Sequence, residues 1–382
     1  MFRSFLLAFV ILGCYGGHAQ DSLYTREMLK KLCSEKCYGR GYLKGGLAAA
    51  EKLLLKQIKA SKALPLFGKE YTQSFYQVVN TYPSKTKITL NEQALRPGVD
   101  YIPNANNRGI SGTGNLAQKD SVTYTGTING RVIRVKLKQK LTYTVGQKEN
   151  EDFEIELDRT KFSAVPKTIR IDFENKLEQH FESKNVGCIV RGTSASDSVL
   201  VFSAHYDHLG GIGKHCYFPG ANDNASGVSM LLNLLKYYTA NPPKYTTHFL
   251  FFAGEEAGLL GSLHYVQHPA IDLKKIKFLI NLDLMGTGEE GIMVVNGAIY
   301  EPAFSTLSSI NTSMQLLPQI KKRGKAANSD HYWFSEQGVP CFFMYTLGGI
   351  KAYHDVYDKE ITLPLTAYKK VFTLLTEFVK TM

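Results

Sequence analysis

Three short apolar runs in this chain end in side chains that an apolar core does not accept unpaired. Val199-Leu200-Val201-Phe202 leads to His205-Tyr206-Asp207, Phe249-Leu250-Phe251-Phe252 leads to Glu255-Glu256, and Phe278-Leu279-Ile280 leads to Asp283. Unbroken rather than alternating apolarity marks strands covered on both faces. The runs therefore predict central strands of a mostly parallel sheet, an α/β fold with helices on both faces. Ligands of such open sheets bind at the carboxyl ends of the strands. The polar residues that follow the runs thus point to a single site.

Two further segments add candidates, Gly220-Ala221-Asn222-Asp223-Asn224-Ala225-Ser226-Gly227 and Tyr353-His354-Asp355. Each fragment is ambiguous alone. A histidine at a strand end is usually a satisfied structural residue, and Asp223 before an apolar helical stripe reads equally as a helix N-cap. Glu255-Glu256 is the most specific piece, because two adjacent acids after Phe249–Ala253 would cost several kcal/mol if buried unpaired. Adjacent side chains diverge, so one can ligate a metal while the other meets a water. Asp207 is placed to accept the second imidazole N–H of His205. Imidazoles and carboxylates without thiolates suit a borderline-to-hard divalent ion such as zinc.

The chain has 382 residues, 44% of them hydrophobic, enough for one large core with an appendage. Met1-Phe2-Arg3, the apolar run Phe5–Leu12 and the small residues Gly17 and Ala19 predict a signal peptide over residues 1–19 and an exported, periplasmic or extracellular protein. Ile11-Leu12-Gly13-Cys14 offers the alternative of lipoprotein anchoring through Cys14, with a poorer match at Leu12. No other run is long enough to cross a bilayer. Residues 20–80 are expected to form an N-terminal helical part, with glycine breaks at Gly39-Arg40-Gly41 and Gly45-Gly46. Residues 81–166 read as a β-rich insertion or lid containing an Asn129-Gly130 hairpin, and 167–382 as the catalytic core. Helical stripes at Val228–Tyr238 and Val371–Val379 are assigned to the core.

Five cysteines lie outside the leader, Cys33, Cys37, Cys188, Cys216 and Cys341, an odd and scattered set that predicts no disulfide framework. Cys33 and Cys37 could pair across adjacent helical turns or stay free. The net charge of +11 is spread along the chain without any nucleic-acid-binding signature, so no nucleic-acid partner is expected.

The polar segments resemble those of secreted bacterial co-catalytic two-zinc aminopeptidases and their relatives in metallopeptidase clan MH. The likeness is most specific between about Asn185 and Asp358; upstream, only Leu32–Tyr42 with its Gly-Arg-Gly is similar. It implies a zinc-exopeptidase-like fold and two zinc ions per chain. His205 and Asp283 would hold one ion, Glu256 and His354 the other, with Asp223 bridging. It further implies Glu255 as general base, Asp207 as partner of His205, and Tyr353 as a stabiliser of the oxyanion. Asp330-His331 resembles a family segment near the site. The family's larger protease-associated insertion is not recognisable between Thr81 and Pro166. The implied reaction is hydrolysis of peptides with a free N-terminus, and Phe342, Phe343 and Tyr345 are candidates for an apolar pocket. Alternatives within the clan are a single-zinc glutaminyl cyclase and a carboxypeptidase-type relative. A non-catalytic ectodomain would have lost ligands, and all are present here.

Overall fold

The protein is described by a computed structural model covering residues 21–162 and 164–382. The leader expected over residues 1–19, with Cys14, lies outside the described residues.

A nine-stranded sheet forms the centre. Strand Val199–His205 runs parallel to Thr246–Phe252 on one side and to Ile276–Leu282 on the other, and Ile276–Leu282 is parallel to Cys341–Thr346. Antiparallel neighbours flank this parallel core, Lys176–Val190 on one edge and Ile292–Val295 on the other. The apolar runs are continuous because successive side chains enter different cores. Leu200, Phe202, Phe249 and Phe251 pack with Val228, Leu231 and Leu235 of helix Gly227–Ala240 and with Val371 and Leu375 of helix Tyr368–Lys380. Val199, Val201, Leu250 and Phe252 face the other way, against Tyr265 and Phe334 of the helices on the second face. Truncating one such phenylalanine to alanine removes contacts worth about 3–5 kcal/mol.

Helices Ser22–Leu32 and Gly46–Ala60 cover the first face. Thr72–Thr81, inside the stretch expected to be helical, is a strand. Phe75, Gln77 and Val79 are its buried alternate positions, and it pairs along Lys176–Val186. Period-two burial there wins over the helical pattern upstream.

A second sheet of eight strands spans Thr86–Phe173. It extends beyond the expected limit at 166, because Thr168–Phe173 pairs with Thr86–Leu90 and Ile110–Gln118 rather than with the central sheet. The hairpin forms as the sequence indicates. Asn129 and Gly130, with φ of 51° and 76°, join strands Thr123–Ile128 and Arg131–Lys138, the left-handed pair a tight turn needs. The second strand ends at Lys138, and the chain then runs without strand structure toward the carboxyl ends of the central strands. The five described cysteines are all buried and unpaired. Cys188 and Cys341 fill strand positions as small apolar side chains. Among the described residues no helix is long and apolar enough to cross a membrane.

Candidate active site

His205 is the last residue of its strand, Asp283 follows Leu282 directly, and Glu255 lies three residues beyond Phe252 after a turn at Gly254 with φ of 69°. The parallel strands therefore deliver an imidazole and carboxylates to one edge. Asp223 comes from the loop before helix Gly227–Ala240, and His354 from the loop after strand Cys341–Thr346.

Asp223 stands between two groups of candidate ligands. His205 Nε2 lies 3.4 Å from Asp223 Oδ1 and 3.3 Å from Asp283 Oδ2. His354 Nε2 lies 3.1 Å from Asp223 Oδ2 and 3.3 Å from Glu256 Oε2. One carboxylate thus turns each of its oxygens toward a different imidazole, each imidazole with its own second acid. His205, Asp223 and Asp283 form a fully buried trio whose nearest ligand atoms all lie within 4.8 Å of one another.

Two observations test whether these residues suit metal ions. His205 Nε2 and Asp283 Oδ1 are buried and make no hydrogen bond, although natural proteins satisfy nearly all such atoms. The charge balance is also uneven. Asp207, Asp223, Glu255, Glu256 and Asp283 crowd one edge, and among the described residues their only ion-pair partners are His205, His208 and His354. Nitrogen and oxygen donors of this kind, short of positive charge, fit zinc.

Titration follows from that shortage. Burial pushes the Glu255 carboxyl well above the usual range, with the neighbouring charges of Glu256, Asp330 and Asp283 adding and His205 opposing. Burial likewise raises Asp283. Asp223 goes the other way, because His205 and His354 outweigh the effect of burial. Burial alone would lower both imidazoles, yet Glu255 and Asp283 hold His205 well above its ordinary value, and Glu256 and Asp223 raise His354 to about 9.

The supporting contacts differ in detail from the sequence reading. His205 Nδ1 is nearest the main-chain carbonyl of Asp207, at 3.3 Å, and stands 3.7 Å from its carboxylate. That carboxylate accepts the backbone N–H groups of Glu255 and Glu256 at 3.2 and 3.3 Å, so Asp207 steadies the paired glutamates as well as the imidazole. Tyr353 stacks on His354 with ring centroids 4.0 Å apart and, as a residue, is 44% exposed at the rim.

His208, Tyr143 and Gln147 were not legible as participants in the sequence. His208 Nδ1 donates to Glu256 Oε1 at 2.6 Å, and His208, Asp223 and Glu256 make a second group able to hold a metal. The only signal was its place in His-Tyr-Asp-His. Tyr143, from the irregular run after the hairpin, receives the Nδ1–H of His354 on its carbonyl at 3.1 Å and donates its own N–H to His354 O at 2.8 Å. A ligating histidine held this way has its tautomer fixed with Nε2 free to bind. Gln147, from the same run, hydrogen-bonds the Ala257 carbonyl. Asp330, which the sequence already placed near the site, is buried with neither carboxylate oxygen paired and its carboxyl raised to about 7 by burial.

The site opens into a cavity of about 410 Å³ lined by Asp223, Glu255, Glu256, Asp283, Tyr353 and His354 on its polar side. Leu259, Leu284, Phe343 and Tyr345 form the apolar wall. Phe342, expected beside them, faces the opposite core because strand neighbours alternate. A larger cavity of about 860 Å³ lies beside helices Ser22–Leu32 and Gly227–Ala240, with Asp21 its only carboxylate among the described residues.

Residues 185–379 match peptidase family M28, and the chain belongs to that family. Aminopeptidase YwaD of Bacillus subtilis is 32% identical over 144 residues, 37% of this chain and 30% of that protein. A probable leucine aminopeptidase of Arthroderma otae is 28% identical over 184 residues, 44% of this chain and 48% of that protein. The matches thus span less than half the length of these curated relatives. A zinc aminopeptidase from Bacillus subtilis superposes with a TM-score of 0.66 at 17% identity, over 95% of both chains. A glutaminyl cyclase from an Acidobacteriales bacterium superposes with a TM-score of 0.58 at 15% identity, over 98% of both. At such identities the superpositions establish the shared fold.

Proposed function

We propose that the chain is a zinc-dependent aminopeptidase, exported from the cell, that holds two metal ions and releases residues from the free N-terminus of peptides. The observation that carries this reading is Asp223, whose two oxygens face two different imidazoles. His205 and Asp283 would hold one ion, and Glu256 and His354 the other, with Asp223 shared. His354 is preferred to His208 for the second position because its Nδ1 is anchored on Tyr143 while Nε2 faces both carboxylates. His208 then serves as the hydrogen-bond partner of Glu256.

Ions bound at these positions would supply Lewis acidity, bringing the pKa of a water from about 15.7 to about 7 and polarising the scissile carbonyl. Glu255, with a carboxyl already raised by burial, takes the proton of the attacking water and passes it to the leaving amine. Tyr353 at the rim donates its hydroxyl to the developing oxyanion. The carboxylate-rich floor attracts the substrate's α-ammonium group, and Leu259, Leu284, Phe343 and Tyr345 receive an apolar first side chain. The aminopeptidase names of the Bacillus and Arthroderma relatives support the same reading.

Metal analysis of the active protein tests it. Close to two zinc equivalents per chain are expected, with activity lost to a chelator and restored by zinc. Full activity at one equivalent would refute the two-metal arrangement and favour the cyclase chemistry.

A further inference from the structure

Arg40 is fully buried and takes no direct part in the proposed chemistry, yet all five of its N–H groups are used. Nε donates to Tyr206 O at 3.0 Å, Nη1 to Leu32 O at 3.4 Å and Pro219 O at 2.7 Å, and Nη2 to Gly220 O at 2.8 Å and Asp223 O at 3.0 Å. Every acceptor is a main-chain carbonyl. Two of them belong to Asp223 itself and to the residue after His205. The backbone around Arg40 is fitted just as closely. Its own carbonyl accepts the N–H of His208 at 3.2 Å, and Gly39 O accepts that of Gly210 at 3.0 Å. A Cβ on Gly39 would stand 2.2 Å from Gly210 O, so only glycine permits this approach.

The opposite pole of the Asp223 loop meets a second buried charge. Asp358 accepts the N–H of Asn222 on Oδ1 at 2.8 Å and that of Asp223 on Oδ2 at 3.0 Å, while its main-chain carbonyl accepts Ala221 N at 3.1 Å. Arg40 therefore holds the carbonyls of this loop and Asp358 holds its N–H groups. A buried charge without an opposite partner is costly. Here the Arg40 guanidinium is met by main-chain carbonyls and the Asp358 carboxylate by main-chain N–H groups, and the peptide joining Gly220 to Ala221 is held at both ends, its carbonyl by Arg40 Nη2 and its N–H by the Asp358 main-chain carbonyl.

We propose that Arg40 and Asp358 are positioning residues that clamp the backbone of residues 219–223, Arg40 through its carbonyls and Asp358 through its N–H groups, fixing Asp223 in the orientation that serves both imidazoles before any metal arrives. The proposal rests on Asp223 as the shared metal ligand. It explains why a segment near the N-terminus is packed against two ligand-bearing loops.

The test measures zinc affinity by competition with a chromophoric chelator in the whole protein, for wild type, Arg40→Ala, Asp358→Asn and the double variant. Each single change is expected to weaken zinc binding about 10- to 100-fold, as loss of support around a ligand does. The double variant should be little worse than the weaker single, because either loss already frees the backbone of Asp223, which both residues hold. Guanidinium chloride, well below denaturing concentration, should restore the zinc affinity of Arg40→Ala by occupying the carbonyl-lined space, whereas equal sodium chloride should not. Unchanged affinity in Arg40→Ala with a lowered melting temperature would overturn the proposal, as would independent, multiplying losses or the absence of rescue. If Arg40→Ala does not fold, Arg40→Lys serves, since it keeps the charge but not the five-donor fork. Intermediate affinity is then expected, and wild-type affinity would overturn the proposal. Wild type that binds no zinc would instead refute the metal reading on which the proposal stands.

Discussion

Replacing Glu255 with glutamine separates function from stability, with opposite signs for the two. The substitution keeps the shape of the side chain and removes the only group in the site assigned to move a proton. General acid–base catalysis contributes about 10²–10⁴-fold, so turnover should fall by that range, roughly 2.7–5.4 kcal/mol of barrier at about 1.36 kcal/mol per decade. The fold should respond the other way. Burial and the charges of Glu256, Asp330 and Asp283 hold the Glu255 carboxyl well above its ordinary range, so its ionised form destabilises the metal-free protein at neutral pH. Removing that charge should raise the metal-free melting temperature by a few degrees, the response to about 1–3 kcal/mol in a chain of this size. Zinc content should not change, because His205, Asp223, Glu256, Asp283 and His354 all remain. Steady-state hydrolysis of an amino-acid anilide, metal analysis and calorimetry with and without chelator supply the three readings. Loss of less than ten-fold in turnover, loss of zinc, or a lower metal-free melting temperature would each refute the argument.

Glu256→Gln should behave differently from its neighbour, releasing zinc to a chelator more readily and recovering part of its activity in excess zinc; metal retention equal to wild type would reverse the two assignments. Zinc uptake should release protons at neutral pH, because His354 is raised to about 9 and His205 well above its ordinary value, while ligation requires both neutral. Calorimetric titrations in buffers of different ionisation enthalpy read that release, and apparent affinity should climb with pH toward about 9. In the metal-free protein the sign is opposite: the raised pKa of His354 adds stability that is complete below its ordinary value of 6.5 and is lost as pH rises through about 9. Proton-neutral uptake, or metal-free stability that grows over that interval, would contradict the charge balance of the site.

The parts of this molecule written locally were legible in its sequence. Strands covered on both faces show as unbroken apolar runs, so the position of His205, Glu255 and Asp283 at strand ends follows from Val199–Phe202, Phe249–Phe252 and Phe278–Ile280. Asn129-Gly130 announced its hairpin because few other pairs accept two positive φ values. Supporting contacts left no such trace. Tyr143 holds His354 through its carbonyl and N–H, groups every residue possesses, and Arg40 likewise reaches carbonyls rather than side chains. Asp358 binds backbone N–H groups more than a hundred residues away in sequence. Non-local pairing also decides the limit of the second sheet. Thr168–Phe173 and Lys176–Val190 are neighbouring strands in sequence, and only their partners separate them into different sheets. Phe342 shows the same limit in miniature, being one residue from the pocket wall and on the wrong face of its strand.

The central claim is that this site cuts peptides from a free N-terminus, and one paired measurement addresses it directly. A short peptide beginning with leucine, and the same peptide N-acetylated, are incubated with the zinc-loaded protein and followed by mass spectrometry. The free peptide is expected to lose residues stepwise from its N-terminus and the acetylated one to resist, because acetylation removes the ammonium group that the carboxylate floor attracts. Equal cleavage of both peptides, or shortening from the other end, would contradict it.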